Sequence, residues 1–453
     1  MNYTYQFFNI KLIITLFFLN FLFIKLGINS NGLNDADWWL YWAVDLKNYF
    51  FKDNFEVACH TIGFDFKEIV SCLKLHRYYP SLELIENLKL EIPSWRNVSD
   101  MIYCQPIIFN LLLSIINFFY YFLKPVNPYN SILFTNLIYL NLLIFIIIYI
   151  SKTTSSNYFL SNINKFKVLC WLISPAILSN SVISLYSDIF YFLPILTSIY
   201  LFFKNKYILS GVIFCLAILY KPTTIYLMPF FLLNGMKPFL QFSFSIFFTS
   251  IILHSFVFIF LNLNFSRYVA GIFFLGEAHN NLSINGHLSL MRIINEPISR
   301  GWAYALFHLD ILFNDDFFLK IYKYFHYIFF SLCFPAILFI NKNIKNQEKK
   351  ICLAILLIVL LVFSRSSAGN NHWLIIVPLL IYGSLRSNFF KYYFITLLFF
   401  VGDLAVGLSR STLNMQYYYG PYIKIEPKLL MFYASIFLFI YLISLSIYFY
   451  KKK

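Results

Sequence analysis

An all-α polytopic membrane fold is what this sequence predicts, and three observations carry that prediction. Of its 453 residues, 60% are hydrophobic and only 12% charged, with a mean hydropathy of +0.69; a soluble domain carries roughly a quarter charged residues. The apolar residues come in runs of about 20, enough to cross the hydrocarbon core as helices that satisfy their own backbone hydrogen bonds. The lysines and arginines fall mostly in short stretches between those runs, where positive charge sets topology. That distribution also rejects a nucleic-acid reading of the net charge of +15, because no one soluble face gathers it.

The first span runs from about Phe8 to Ile28. Lys11 stands near its start and no small-residue cleavage site follows, so it reads as a retained helix and not a signal peptide. Residues 29–130 form a first outer loop with juxtamembrane helices. Within it, Asp37–Phe51 reads as a helix along the membrane surface, with Trp38, Trp42 and Leu46 on one side. Gln105–Leu123 is read as a re-entrant dip into the outer leaflet, because every later basic loop then falls on one side. Ser131–Ile150 follows inward, Val168–Ile183 outward, Ile189–Phe203 inward, Tyr207–Tyr220 outward, Thr223–Gly235 inward and Phe239–Leu261 outward.

A second outer segment covers 262–316. Phe317–Ile340 returns inward to the densest basic run, Lys342 to Lys350. Ile351–Phe363 goes outward, His372–Tyr382 inward, Tyr393–Leu408 outward and Leu429–Tyr450 inward. These runs make twelve crossings, an even number that leaves both termini cytoplasmic; several are shorter than a full span, so the expectation is about 11 transmembrane helices plus outer juxtamembrane helices in one integral membrane domain, residues 1–453. More than half of the chain's 20 acidic residues lie between Asn31 and Asn130, as expected of a loop facing away from the cytoplasm. The seven cysteines show no paired metal-binding spacing. Cys170, Cys215, Cys333 and Cys352 fall in spans and read as packing residues. Cys59, Cys72 and Cys104 share the first loop, where two could pair in an oxidising compartment.

Four polar clusters fall on the outer side once the lysines have set the topology. The first, Asp35 and Asp37, sits in the aromatic stretch Asn34–Trp42 at the end of the first span, where Trp and Tyr favour the headgroup level. The second is Tyr186-Ser187-Asp188 and the third is Tyr220-Lys221-Pro222-Thr223, both at outer helix ends. The fourth is the second outer segment, with Arg267, Glu277, His279, His287, Arg292, Arg300 and His308. Arg365, His372 and Arg410 add polar groups at outer ends. Charges near membrane depth are costly, so they line a polar cavity or pair with each other. Each has a plainer reading beside that one. Asp35 fits a helix N-cap, Asp188 a structural ion pair, Lys221 a snorkelling lysine, and the histidines ordinary loop positions.

The stretch Leu172–Pro229 resembles the GT-C superfamily of polyprenyl-phosphate-sugar-dependent glycosyltransferases. The likeness rests on Pro175, Ser187-Asp188, Lys204/Lys206, Gly211, Lys221-Pro222 and Pro229. Asp37-Trp38-Trp39-Leu40-Tyr41 looks like that family's first outer loop, and Gln105-Pro106 with its apolar run resembles its juxtamembrane helix. The resemblance implies an inverting glycosyltransferase that moves a sugar from a polyprenyl-phosphate donor to a glycan or lipid-linked acceptor, as in O-antigen or other surface polysaccharide modification. A carboxylate must then take the acceptor hydroxyl's proton, with Asp37 the candidate and Asp35 its rival. Cations must meet the leaving phosphate, with Lys221, Arg292 and Arg300 the candidates. Asp188 would orient acceptor or sugar hydroxyls, and His287 and Tyr41 complete the substrate-binding set. The donor is already activated, so no cofactor is required; a divalent metal is compatible but not demanded. The expected partners are the polyprenyl-phosphate sugar, the acceptor and membrane lipids, with no nucleic acid. The expected location is a bacterial inner membrane, with the active site facing outside the cytoplasm. Two other functions fit a chain of many spans and large outer loops: a polysaccharide polymerase, which leans more on outer-loop arginines, and a transporter or flippase, which places charges mid-membrane and shows repeat symmetry.

Overall fold

The computed structural model describes residues 10–28, 39–40, 43, 106–154, 167, 170–183, 185, 187–260, 315–364, 374–386, 390–397 and 427–451. Helices α1 (Ile10–Gly27), α2 (Pro106–Leu123) and α3 (Asn130–Thr154) come first. A turn of helix at Pro175–Ile177 runs into a π-helical segment, Leu178–Ile183, and then a 3-10 turn, Ser187–Tyr191. Next are α4 (Phe192–Phe203), α5 (Tyr207–Tyr220), a 3-10 run Pro222–Asn234 and α6 (Met236–Phe260). The chain continues with α7 (Asp315–Asn343), α8 (Gln347–Phe363), a short 3-10 turn Leu374–Ile376, α9 (Val377–Arg386) and α10 (Pro427–Lys451). Among the described residues no strand occurs.

Three helices are long and apolar enough to cross a membrane: Asn130–Ile150, Met236–Phe256 and Phe325–Asn343. The first is 56% buried and the other two only 11% and 17%, so α6 and α7 are peripheral. Phe244, Phe247, Phe248, Ile251, Ile252 and Phe256 all stand exposed along α6. So continuous an apolar face is rare on a soluble monomer and is what a lipid-facing helix presents. The buried centre is made by α4, α5, the run Pro222–Asn234, α8 and α9, where Phe202, Phe214 and Phe231 pack ring against ring with Phe242 from the inner face of α6.

Close approach and polar pairs lock these helices together, as expected where apolar burial alone does not favour association. The Ser198 and Ser210 hydroxyls each donate to the other residue's carbonyl, at 2.9 and 2.8 Å, across the α4–α5 hairpin. Asn20 and Asn141 exchange two amide hydrogen bonds, 3.0 and 2.9 Å, between α1 and α3. At Gly211 a methyl group would run into the Phe242 carbonyl and the Ser245 hydroxyl, so only glycine lets α5 and α6 cross there.

The lysine-rich turns collect at one end of the bundle. Phe203, at the end of α4, stacks on Tyr382 with centroids 5.3 Å apart, and the Arg386 guanidinium lies over both rings. The Lys350 ammonium donates to Asn341 at 2.8 Å, and that of Lys349 to the Tyr450 carbonyl at 2.7 Å. Lys167 donates to the Ser384 carbonyl at 3.0 Å. Burial pulls the Lys167 ammonium below its usual range, and Glu348 partly offsets this. The far end holds the C-terminus of α1, the N-terminus of α3 and the C-terminus of α5. There Gly27 packs under the Val182 carbonyl and Leu133, and Asn127 donates to the Ile28 carbonyl at 3.4 Å. The 12 residues of α4 and the 14 of α5 separate the two ends by about 18–21 Å.

Two elements differ from their expected form. The segment read as a re-entrant dip is one unbroken 18-residue helix, α2. It has no glycine or proline after Pro106 at which to fold back, and Asn117 near its C-terminus donates to the Ala43 carbonyl at 2.6 Å. The Thr223–Gly235 span is not α-helical but a 13-residue 3-10 run with Pro229 inside it. At about 2.0 Å per residue that run covers about 26 Å, where an α-helix of the same length would cover about 20 Å.

Candidate functional site

Of the residues singled out from sequence, Lys221 is described with its side chain and Asp188 by its backbone. Asp35, Asp37, Tyr41, His287, Arg292 and Arg300 lie outside the described residues, as do Arg365, His372, Arg410, Cys59, Cys72 and Cys104. Cys170, Cys215, Cys333 and Cys352 form no disulfide, the last three are buried, and Tyr392 donates to the Cys352 sulfur at 2.6 Å. Among the described residues no three His, Cys, Asp or Glu side chains converge as a metal site would require.

Lys221 closes α5 in an extended conformation, φ −138° and ψ 101°. The following proline dictates this, because its ring excludes the helical region for the residue before it. The turn is tied down on both sides. The Lys221 amide donates to the Ala217 carbonyl at 2.9 Å, and the Thr224 amide to the Lys221 carbonyl at 2.9 Å. The Thr224 hydroxyl donates to the Ala217 carbonyl at 3.0 Å and to that of Lys221. From this fixed point the half-buried Lys221 ammonium lies 5.5 Å from the centre of the Tyr191 ring. Such a cation–π contact is worth about 0.5–2 kcal/mol, more as water is excluded.

The Ser187–Tyr191 turn that carries Asp188 and Tyr191 is reached through irregular backbone. The π-helical segment Leu178–Ile183 is pinned by Asn136, whose amide donates to the Ser181 carbonyl at 2.8 Å. Leu185 follows, fully buried and at φ +55°. A bulky side chain in that left-handed region is a strained outlier. A π-helical segment and a strained leucine thus lie within ten residues ahead of the Ser-Asp pair, where π-bulges and backbone strain favour functional sites.

A ladder of rings joins these pieces to the first loop. Trp39 is buried and stacks on Tyr220, centroids 6.4 Å apart and planes 19° apart. Tyr220 stacks in turn on Phe190 at 6.4 Å, and Phe190 on Tyr139 at 4.2 Å. Tyr191 packs obliquely on Tyr220 at 5.9 Å, and the Tyr139 hydroxyl donates to the Phe190 carbonyl. Tyr139 lies nine residues into α3, so the ladder is set roughly 13 Å down that helix from its start. It lies at the end of the bundle away from the lysine turns.

Residues beside three of the four polar clusters therefore meet in one aromatic ladder: Trp39 of the first loop, Phe190 and Tyr191 after the Ser-Asp pair, and Tyr220 before Lys221; Asp35 and Asp37 themselves lie outside the described residues. The fourth, 262–316, falls almost wholly outside the described residues. The ladder itself was not anticipated. Trp39, Phe190, Tyr191 and Tyr220 each lie within three residues of a charged one, and nothing local says that they meet. A buried polar pair was also missed. The Ser364 hydroxyl donates to the Leu361 carbonyl at 2.7 Å, so it accepts from His326 Nδ1 at 2.9 Å, with Tyr226 edge-on to the imidazole at 5.1 Å. Ser364 ends α8 beside Arg365, and that adjacency was the available signal.

No family model, curated protein or solved structure matches the chain.

Proposed function

We propose that the chain is an inverting glycosyltransferase of the GT-C kind, embedded in a plasma membrane by about 11 spans, with its site at the end away from the basic turns. It would move a sugar from a polyprenyl phosphate to a glycan or lipid-linked acceptor. The observation that supports this best is the ladder Trp39–Tyr220–Phe190, with Lys221 over Tyr191. It brings Trp39 of the first loop beside the Ser187–Tyr191 turn and the Lys221-Pro222 turn. Asp37 is two residues along the chain from Trp39, a reach of about 7 Å.

In this reading Asp37 takes the proton of the acceptor hydroxyl as its oxygen attacks the anomeric carbon from the face opposite the phosphate. The bond from that carbon to the phosphate oxygen breaks, and the polyprenyl phosphate leaves with the electron pair. Lys221, with Arg292 and Arg300, meets the charge that grows on the phosphate, and a fixed cation in apolar surroundings does so at low reorganisation cost. Asp188 orients sugar or acceptor hydroxyls.

The test is transfer of radiolabelled sugar from a polyprenyl-phosphate hexose to lipid-linked acceptor in membranes that contain the chain. Replacing Asp35 and Asp37 together by Asn should cut transfer by about 10²–10⁴-fold, with the protein still inserted and abundant. Lys221→Ala should lower it strongly and Lys221→Arg restore part. Near-normal transfer by the double asparagine variant would overturn the assignment of the base. Substrate movement with no new covalent product would replace the enzyme reading by a transporter.

A further inference from the structure

At the opposite end of the bundle a groove of about 300 Å³ opens between helical residues 390–397 and α10. Phe390, Tyr393, Phe394, Leu397 and Tyr441 line it, with Lys391 at its edge. Phe390 and Phe394 are 70% and 44% exposed, so the groove opens sideways onto the outer surface of the bundle, not into its core. The Tyr441 hydroxyl donates to the Lys391 carbonyl at 3.2 Å and holds the two helices in register. The Lys391 ammonium sits 3.4 Å above the Tyr448 ring and 4.9 Å from Phe449. Lys349 reaches the same final turn of α10 from the other side, donating to the Tyr450 carbonyl, and Lys451 ends that turn.

An apolar slot alone selects nothing in a bilayer, since a lipid tail is as well placed among other tails. Selection must come from the head. Here Lys391 lines the slot, its ammonium over the Tyr448 ring, at the end where basic residues gather. Basic pockets between membrane helices on the cytoplasmic side suit phosphate headgroups. We propose that this groove holds one anionic phospholipid, with an acyl chain against Phe394, Leu397 and Tyr441 and the phosphate on Lys391. The site rests on the membrane placement in the reading above and on none of its chemistry.

The full chain, purified in mild detergent, would be exposed to equal amounts of phosphatidylglycerol and phosphatidylcholine, and retained lipid read by native mass spectrometry. Phosphatidylglycerol should be kept over phosphatidylcholine by five-fold or more, since one lysine near an anionic surface is worth about five-fold. Lys391→Gln should bring the ratio close to one, Lys391→Arg should keep it, and Leu397→Trp should expel both lipids by filling the slot. Two variants that keep the charge guard against a mere folding defect in Lys391→Gln. Equal retention of the two lipids, or an unchanged ratio in Lys391→Gln, would overturn the site while leaving the glycosyltransferase reading standing. Displacement of phosphatidylglycerol by inorganic phosphate at equal concentration would reduce it to a free-anion site and also overturn it. A chain that alkaline carbonate strips from membranes would end both proposals together.

Discussion

Leu185 is the residue at which backbone and side chain pull against each other. Its φ of +55° costs about 1–2 kcal/mol for a branched side chain, and its full burial contributes more than that. Truncation should separate the two terms. Leu185→Ala loses the packing and keeps the strain; Leu185→Gly loses the same packing and relieves it. The glycine variant should therefore be the more stable by about 1 kcal/mol, the reverse of the usual order, as read from thermal unfolding in detergent. An alanine variant at least as stable would mean that the turn relaxes and the strain is not held. Lys221 could be read from sequence because Lys-Pro carries its own geometry: the proline fixes the turn that aims the side chain. Trp39 could not. Its partner Tyr220 is far along the chain, and a ring that stacks has the same local signature as a ring that floats at a headgroup.

At the scale of single helices, apolar runs gave location but not conformation. Hydrophobicity marked Thr223–Gly235 as a span, yet its helical type depends on how few residues must cover a given height and on Pro229, whose missing N–H breaks an α ladder. The same blindness to shape made α2 a dip instead of a rod, because a charge argument asks only which side the next lysine reaches. Gly211 was legible as a residue of the family pattern, and the structure supplies its physical reason in the α5–α6 crossing. Gly211→Ala should destabilise the protein by about 1–3 kcal/mol, the range for overpacking a close contact. Pairing it with Ser245→Gly should recover only part, since the Phe242 carbonyl that the methyl also meets belongs to the backbone and cannot move aside. Full recovery would show that the backbone at Phe242 gives way to the added methyl group.

For the molecule as a whole, sequence groups the basic turns on one side, and the described lysine turns do gather at one end of the bundle. The lysines of the α4–α5 turn, of the α7–α8 turn and of the α10 terminus are far apart in the chain and gather at one end because alternate helices run back and forth between ends. A labelling experiment tests the two ends directly. In a background without native cysteines, Asn205→Cys lies on the lysine-rich α4–α5 turn and Val126→Cys on the exposed turn after α2. A membrane-impermeant maleimide should modify position 126 in intact cells and position 205 only after permeabilisation. Labelling of both from one side would overturn the end-to-end separation, and the inverse pattern would invert the orientation.

The α4–α5 hairpin has a consequence for biogenesis. Its helices are joined by Lys204, Asn205 and Lys206, with Asn205 at φ +61°, a conformation asparagine tolerates. Neither helix, at about 18 and 21 Å, matches a hydrocarbon core of about 30 Å. The serines that bond across the hairpin find partners only once both helices have emerged. On the membrane reading, a ribosome delivering this stretch would hand the translocon a folded pair instead of two successive segments, and a stop codon placed between them would leave α4 with the Ser198 hydroxyl deprived of its partner across the hairpin.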